Sequence, residues 1–195
     1  MLQEIRSICV FCGSRTGEKP EYLAAATQTG AAIAAQGWRL VYGAGDVGLM
    51  GAVARAAQLA GGATFGVIPV HLMRREQGRR DLGMLVITED MHERKKVMHM
   101  NSDAIVVLPG GAGSLDEFFE VLTWRQLGLH AKPIYLLNVA GYWSPLVALV
   151  DHLIAEGFAE APLRSYVTVV PDVPALAAAL AAGFAAGPAR RLASE

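Results

Sequence analysis

Residues 104–117 of the chain read AIVVLPGGAGSLDE, an apolar run that passes through a glycine-rich turn into a helical pattern. The run predicts a buried strand, and the glycines allow the backbone to come close to a ligand. Unpaired N–H groups and the helix dipole at the start of the following helix attract anions. The stretch therefore predicts a phosphate-binding turn that is followed at once by two carboxylates, Asp116 and Glu117.

Short apolar runs alternate with longer helical patterns along the whole chain. The predicted strands cover residues 5–11, 39–42, 63–69, 84–88, 104–108, 133–137 and 166–170, and the predicted helices cover 20–36, 48–60, 91–100, 114–129, 144–156 and 175–186. Strands that are apolar throughout are typical of a parallel sheet covered by helices. We predict a single domain over residues 1–195, an α/β fold with a doubly wound, Rossmann-like parallel sheet and helices on both faces. Such sheets bind ligands at the carboxyl ends of their strands.

Composition and charge exclude several classes of protein. With 17 basic and 18 acidic residues the net charge is −1, which does not suit a nucleic-acid surface. The N-terminus lacks the apolar core of a signal peptide, and the Ala-rich segment 173–186 is too short for a membrane span. We expect a soluble, cytoplasmic protein with no membrane or nucleic-acid partner.

Metal and redox chemistry have little support in the sequence. Cys9 and Cys12 have C-x-x-C spacing, but they belong to a strand and no second pair completes a zinc site. We expect them to be small buried residues. The five histidines form no H-x-x-x-H or H-E-x-x-H pair, so a metal centre has little support.

A second glycine turn consists of Gly43, Gly45 and Gly48, spaced as G-x-G-x-x-G between a strand and a helix. A dinucleotide site needs an acidic residue about 20 positions on, at the end of the next strand. Residues 68–71, which occupy that position, include no carboxylate, and the next one along the chain is Glu76. No Gly-Lys-Ser/Thr sequence follows any glycine run, so a P-loop is excluded. A glycine turn that lines a nucleotide pocket is the favoured interpretation.

Ser114 and Glu117 also fit a purely structural role. Ser-x-x-Glu before an apolar helix is a capping box, which needs no ligand, and Asp90 and Glu93 have the same spacing at the start of the preceding helix. In the functional interpretation, Glu117 faces another part of the ligand than the phosphate, such as a ribose. The two alternatives stay open at this point.

A cationic cluster of Arg94, Lys95 and Lys96 lies in the early turns of the predicted helix 91–100. A solvated surface is the ordinary explanation of such a cluster. If the strand before this helix neighbours strand 104–108, however, Arg94 and Glu117 would meet in one crevice. An arginine and a carboxylate over a glycine-rich anion cradle suit a phosphorylated sugar.

Two stretches together resemble the paired signature of the Lonely Guy family, namely MHERK at residues 91–95 and PGGAGSLDE at residues 109–117. The family consists of cytokinin riboside 5′-monophosphate phosphoribohydrolases, and its bacterial members were once labelled lysine decarboxylases. FCGS at residues 11–14 and YGAGDVGLMG at 42–51 also look like its glycine loops. Ser114 replaces the usual Thr and Ala44 a common Gly.

The resemblance implies a catalytic pair of Arg94 and Glu117 and a homodimer with the helices around Arg94 and Trp124 near the interface. The substrate contacts that it implies are Glu76, Arg94, Lys95, Gly111, Ala112, Gly113, Ser114, Leu115, Asp116, Glu117 and Thr123, with Ser14, Gly43 and Gly45 lining the nucleotide site. It also implies hydrolysis of the N-glycosidic bond of a purine or cytokinin nucleoside 5′-monophosphate, without metal or redox cofactor.

Two other functions compete with this hypothesis. A non-catalytic nucleotide or molybdenum-cofactor carrier on the same fold is the alternative, since fold does not fix function. A pyridoxal-dependent lysine decarboxylase needs a Schiff-base lysine, and none of the lysines, Lys19, Lys95, Lys96 and Lys132, has a supporting motif.

Overall fold

A computed structural model describes residues 5–73 and 83–185. Its strands are β1 (Ser7–Phe11), β2 (Arg39–Tyr42), β3 (Thr64–Pro69), β4 (Met84–Thr88), β5 (Ala104–Val107), β6 (Ile134–Leu137) and β7 (Val167–Val170). Its α-helices are α1 (Pro20–Ala35), α2 (Gly48–Leu59), α3 (Val70–Met73), α4 (Met91–Met100), α5 (Ala112–Gln126), α6 (Ser144–Ala155), α7 (Pro162–Ser165) and α8 (Val173–Ala185), and Val139–Gly141 forms a 3-10 turn.

The strands form one parallel sheet in the order β4-β3-β2-β1-β5-β6-β7. The first four strands are laid down outward from β1, and the chain then returns to place β5 on the other side of β1. This reversal makes the β1–β5 pair the topological switch point of a doubly wound sheet. The predicted Rossmann-like α/β fold is confirmed.

Helices cover both faces of the sheet because the strands alternate their side chains between two cores. Ile8 and Val10 pack with α1, α2 and α8 on one face. Cys9 and Phe11 pack with α4, α5, α6 and α7 on the other. Cys9 and Cys12 are free thiols and buried, as predicted. Within the described ranges, no helix combines the length and the apolar character that crossing a bilayer requires.

One sequence expectation about the sheet is wrong. Strands β4 and β5 do not neighbour each other, since β4 pairs with β3 at the sheet edge and β5 pairs with β1. Helix α4 starts after the edge strand β4 and packs against β3, and from there Arg94 reaches the carbonyls of Val67 in β3 and of Gly43 just beyond β2. These contacts, and not an adjacency of β4 and β5, bury Arg94 against the carboxyl ends of β3 and β2.

Candidate active site

The carboxyl ends of β1 and β5 border a crevice at the switch point. The register pairs Phe11 with Val107, and beyond the strands the N–H of Gly13 donates to the carbonyl of Pro109 at 3.0 Å. A cavity of about 480 Å³ opens there. Both turns reach the same level because the two parallel strands are in register, so the ligand site lies where the fold class places it.

The first wall of the cavity is the N-terminus of α5. Gly111 is its N-cap in an extended conformation without a side-chain cap, and Ala112, Gly113 and Ser114 form the first turn. The N–H groups of this turn have no acceptor within the helix, and a Cβ added at Gly111 or Gly113 would meet open space. These residues form an anion cradle that faces the cavity.

The capping-box explanation of Ser114 and Glu117 is wrong. Because α5 begins at Ala112 and not at Ser114, Ser114 lies in the first turn and Glu117 lies well inside the helix. Asp90, by contrast, does cap α4, since its Oδ1 accepts from the Glu93 N–H at 2.8 Å. The same three-residue spacing therefore forms a cap at the start of α4 but not at the start of α5, where the Glu117 carboxylate takes no part in capping.

Arg94 forms the floor of the cavity and is buried. Its Nη2 donates to the carbonyl of Gly43 at 2.8 Å and its Nε to that of Val67 at 3.1 Å. A Cβ at Gly43 would collide with this guanidinium, so the glycine makes room for it. Arg94 forms no ion pair with any carboxylate of the described residues, and its charge therefore remains available to a ligand.

Glu117 is 9% exposed and lines the same cavity. Its carboxylate forms no hydrogen bond or ion pair within residues 5–73 and 83–185. Burial raises the pKa of this carboxyl to about 7, against the opposing effect of the Arg94 charge. A carboxyl group that titrates near neutrality in a cavity is suited to proton transfer.

Each member of this pair has a sequence neighbour that joins the two helices. Lys95, which is buried, donates to Asp116 at 2.9 Å and pairs with Glu120 at 3.2 Å. Burial lowers the pKa of the Lys95 ammonium, but hydrogen bonds to both carboxylates outweigh this effect and raise it. The Lys95 ion pairs thus hold α4 against α5 directly behind Arg94 and Glu117.

The second glycine turn, residues 43–48, packs against the turn after β1 and against Arg94. The N–H groups of Leu49 and Met50 donate to the carbonyl of Gly13, so the N-terminus of α2 is occupied by backbone. The N–H of Gly45 faces the Met50 sulfur at 3.1 Å. Gly43 and Gly45 hold the arginine and the turn in place, while Leu49 and Met50 themselves line the cavity.

The structure brings together one part of the predicted site and leaves out another. The predicted residues that line the cavity are Ser14, Arg94, Gly111, Ala112, Gly113, Ser114 and Glu117. Those that do not line it are Gly43, Gly45, Lys95, Leu115, Asp116 and Thr123, of which Leu115 packs toward the core and Thr123 is exposed two turns away. Glu76 lies outside the described residues.

Several lining residues were not predicted from the sequence: Arg15, Tyr22, Met50, Met91 and Tyr142. Arg15 follows Ser14 at a strand end, a position where the fold class itself predicts ligand contacts. Tyr142 had no such signal. It reaches the site through the 3-10 turn, where Ala140 and Gly141 adopt positive φ, and its hydroxyl donates to the carbonyl of Gly110.

Neither a histidine nor a metal cluster belongs to this site within the described residues. No histidine of that part lines the cavity, and no group of three or more His, Cys, Asp or Glu there is arranged to hold a metal ion. Burial raises the pKa of the Cys12 thiol well above its ordinary value. Among the lining groups with a shifted pKa, Glu117 is thus the one that titrates near neutrality.

Comparison with known proteins agrees with the resemblance. Residues 50–180 match the protein-family model described as "Possible lysine decarboxylase". A "Probable cytokinin riboside 5'-monophosphate phosphoribohydrolase" of Oryza sativa subsp. japonica is 47% identical over 171 residues, 88% of this chain and 75% of the relative. A cytokinin riboside 5'-monophosphate phosphoribohydrolase of Arabidopsis thaliana is 45% identical over 167 residues, 86% of this chain and 77% of the relative. The chain belongs to the Lonely Guy family.

The same fold occurs outside the Lonely Guy relatives. A molybdenum-cofactor carrier protein of Chlamydomonas reinhardtii superposes with a TM-score of 0.73 over 94% of this chain and 99% of that one, at 24% identity. At this identity the likeness concerns the fold. The Lonely Guy signature of this chain, residues 91–95 and 109–117, supplies both Arg94 and Glu117 to the cavity.

Proposed function

We propose that this protein hydrolyses the N-glycosidic bond of purine or cytokinin nucleoside 5′-monophosphates, releasing the free base and ribose 5-phosphate. The observation that carries the proposal is a buried carboxyl of raised pKa, Glu117, in one cavity with the buried Arg94 and an uncapped helix N-terminus. The names of the curated relatives support it.

Glu117 is the proposed catalytic carboxylate. Glycosidic cleavage passes through an oxocarbenium-like state, and a carboxylate beside the ribose stabilises the positive charge that develops. In its ionised form Glu117 accepts a proton from a water molecule whose oxygen bonds to the anomeric carbon. The C–N bond breaks, and the base leaves with the bonding electrons and takes up a proton.

The cradle and Arg94 give this step its geometry. The N–H groups of Ala112, Gly113 and Ser114 suit the 5′-phosphate, because an uncapped helix N-terminus favours a bound anion. Arg94 is held by two carbonyls and so presents a fixed positive charge to the ribose-phosphate end. Burial raises the pKa of the Glu117 carboxyl, and the charge of Arg94 opposes this effect by favouring the ionised form.

A carrier that binds a nucleotide or a molybdenum cofactor without reaction remains the alternative. The solved carrier structures share the fold, but a carrier has no use for a carboxyl whose pKa is raised to about 7 beside an arginine that forms no ion pair with a described residue. The test is incubation of the purified protein with AMP, isopentenyladenosine monophosphate and adenosine. Equimolar base and ribose 5-phosphate from the monophosphates support the proposal, whereas tight binding without release contradicts it.

We also infer a cytoplasmic homodimer. Apolar side chains are exposed near the adjoining ends of α4 and α5, with Met100 68%, Leu127 67% and Leu129 69% exposed, and the His99–Trp124 ring contact joins the two helices there. Such a patch is typical of an interface. Light scattering should give twice the chain mass for the wild type and a lower mass for Leu127→Glu, while a monomeric wild type would contradict the inference.

Free buried thiols agree with a reducing compartment.

A further inference from the structure

Arg15 differs from every other arginine within residues 5–73 and 83–185. Its side chain forms no ion pair or hydrogen bond with a described residue. Each of the others has a partner, and these are Arg6, Arg39, Arg55, Arg94, Arg125 and Arg164. A guanidinium carries five N–H donors in a planar fork, so Arg15 presents an unused set of donors to solvent.

This unused guanidinium belongs to the rim of the cavity. Arg15 is exposed and lines the cavity on the β1 side, while the cradle at the N-terminus of α5 lines the β5 side. Those two turns are joined by the hydrogen bond from Gly13 to Pro109. An anion in the cradle would therefore lie across the crevice from Arg15.

The backbone that carries Arg15 is held in place. Gly48 has φ +60°, and a Cβ at that position would collide with the backbone of Ser14 and Arg15. The Gly13 carbonyl accepts from two N–H groups at the start of α2. The side chain of Arg15 thus starts from a fixed point, and its own rotation is the freedom that remains.

The charges of the cavity wall favour an anion on this side. Among residues 5–73 and 83–185, its charged lining residues are Arg15, Arg94 and Glu117, and burial raises the pKa of the Glu117 carboxyl to about 7. Arg94 is buried and held in one position by two backbone carbonyls. Arg15 is the lining cation that can move onto a ligand.

We propose that Arg15 binds the phosphate group of the substrate from the rim and thereby selects nucleoside monophosphates over nucleosides. This inference rests on the proposed function and deepens it by naming a specificity residue. The planar fork of arginine matches two phosphate oxygens, which the point charge of a lysine does not. Arg15 closes over the phosphate while the cradle holds it from below.

The test compares the wild type with Arg15→Met, Arg15→Lys and the control Lys19→Met, an exposed cation of the same loop that does not line the cavity. Loss of a charge-assisted hydrogen bond should raise KM for AMP by about ten- to a hundredfold in Arg15→Met. The kcat for AMP and the kcat/KM for adenosine should stay within about threefold. Arg15→Lys should recover part of the loss, and Lys19→Met should behave as the wild type.

Two outcomes separate this inference from the proposed function. An unchanged KM for AMP in Arg15→Met, with an active wild type, overturns the role of Arg15 and leaves the hydrolase standing. A wild type that releases no base overturns the hydrolase. In that case calorimetry with ribose 5-phosphate still decides about Arg15: weaker binding to Arg15→Met by the same factor supports the inference, and equal affinity refutes it.

Discussion

Replacement of Glu117 by glutamine should stabilise the protein at alkaline pH while it abolishes activity. Burial raises the pKa of this carboxyl from 4.5 to about 7. The native state therefore holds the proton to higher pH than the unfolded chain does. The stability that this group contributes is fully present below about pH 4.5 and is lost as the pH rises to about 7.

The magnitude follows from the size of the shift. A change from 4.5 to about 7, at about 1.36 kcal/mol for each unit, corresponds to a cost of about 3 kcal/mol for the ionised form in the native state. The amide of Glu117→Gln is neutral at every pH and does not have this cost. Because part of this cost is already present at pH 5, the difference in unfolding free energy between variant and wild type should grow by about 2.5 kcal/mol between pH 5 and pH 8.5.

Urea denaturation at the two pH values measures this difference directly. The pH-dependent contributions of the other titrating groups to the unfolding free energy cancel in the difference, because both proteins contain these groups. Glu160→Gln, at an exposed glutamate, is the matched control and should change stability by less than about 0.5 kcal/mol at either pH. A Glu117→Gln difference that is equal at both pH values would refute the buried, proton-holding carboxyl on which the mechanism depends.

Three further predictions concern activity. Gly43→Ala should lower kcat/KM for AMP about 100-fold or more, because the added Cβ displaces the Arg94 guanidinium. The control Gly83→Ala adds a Cβ with one ordinary contact at 3.5 Å and should leave kcat/KM unchanged. Equal kinetics of the two variants would count against the role of Arg94. In the wild type, kcat/KM should rise about tenfold per pH unit up to about pH 7 and then level off, since Glu117 acts ionised; a profile without this limb would exclude that group. Lys95→Met should move the rising limb of the pH profile to higher pH, because the carboxylates of Asp116 and Glu120 lose their counter-charge near Glu117. Lys95→Arg should return the limb to its wild-type position. If Lys95 only braced the two helices, the limb would stay in place in Lys95→Met.

The fold was predictable because the strands consist mostly of apolar residues, which lie on both faces of the sheet. This pattern predicts a covered parallel sheet, and each predicted strand occurs within a few residues of its expected bounds. The order of the strands was not fully predictable, because the position of β4 depends on which way the chain winds. Arg94 reached the expected crevice by a route that the sequence did not suggest, since α4 packs against β3 and the side chain extends to the carbonyls of Val67 and Gly43.

The site was predictable where one stretch of chain carries both the glycines and the acid, as in residues 109–117. The start of α5 decided between a capping box and a free carboxylate, and a two-residue difference in that boundary is beyond pattern reasoning. The role of Gly43 depends on a guanidinium that comes from 51 residues further along the chain. Tyr142 reaches the cavity through a turn in which Ala140 adopts positive φ, a conformation that an alanine does not indicate in the sequence.

The most direct test of the central claim is a single-turnover experiment with AMP and an excess of enzyme, with binding measured in parallel. The wild type should convert bound AMP into equimolar adenine and ribose 5-phosphate. Glu117→Gln should bind AMP within about threefold of the wild-type affinity and form product at least about 100-fold more slowly. Equal rates in the two proteins, or a wild type that binds AMP and leaves it intact, would contradict the claim.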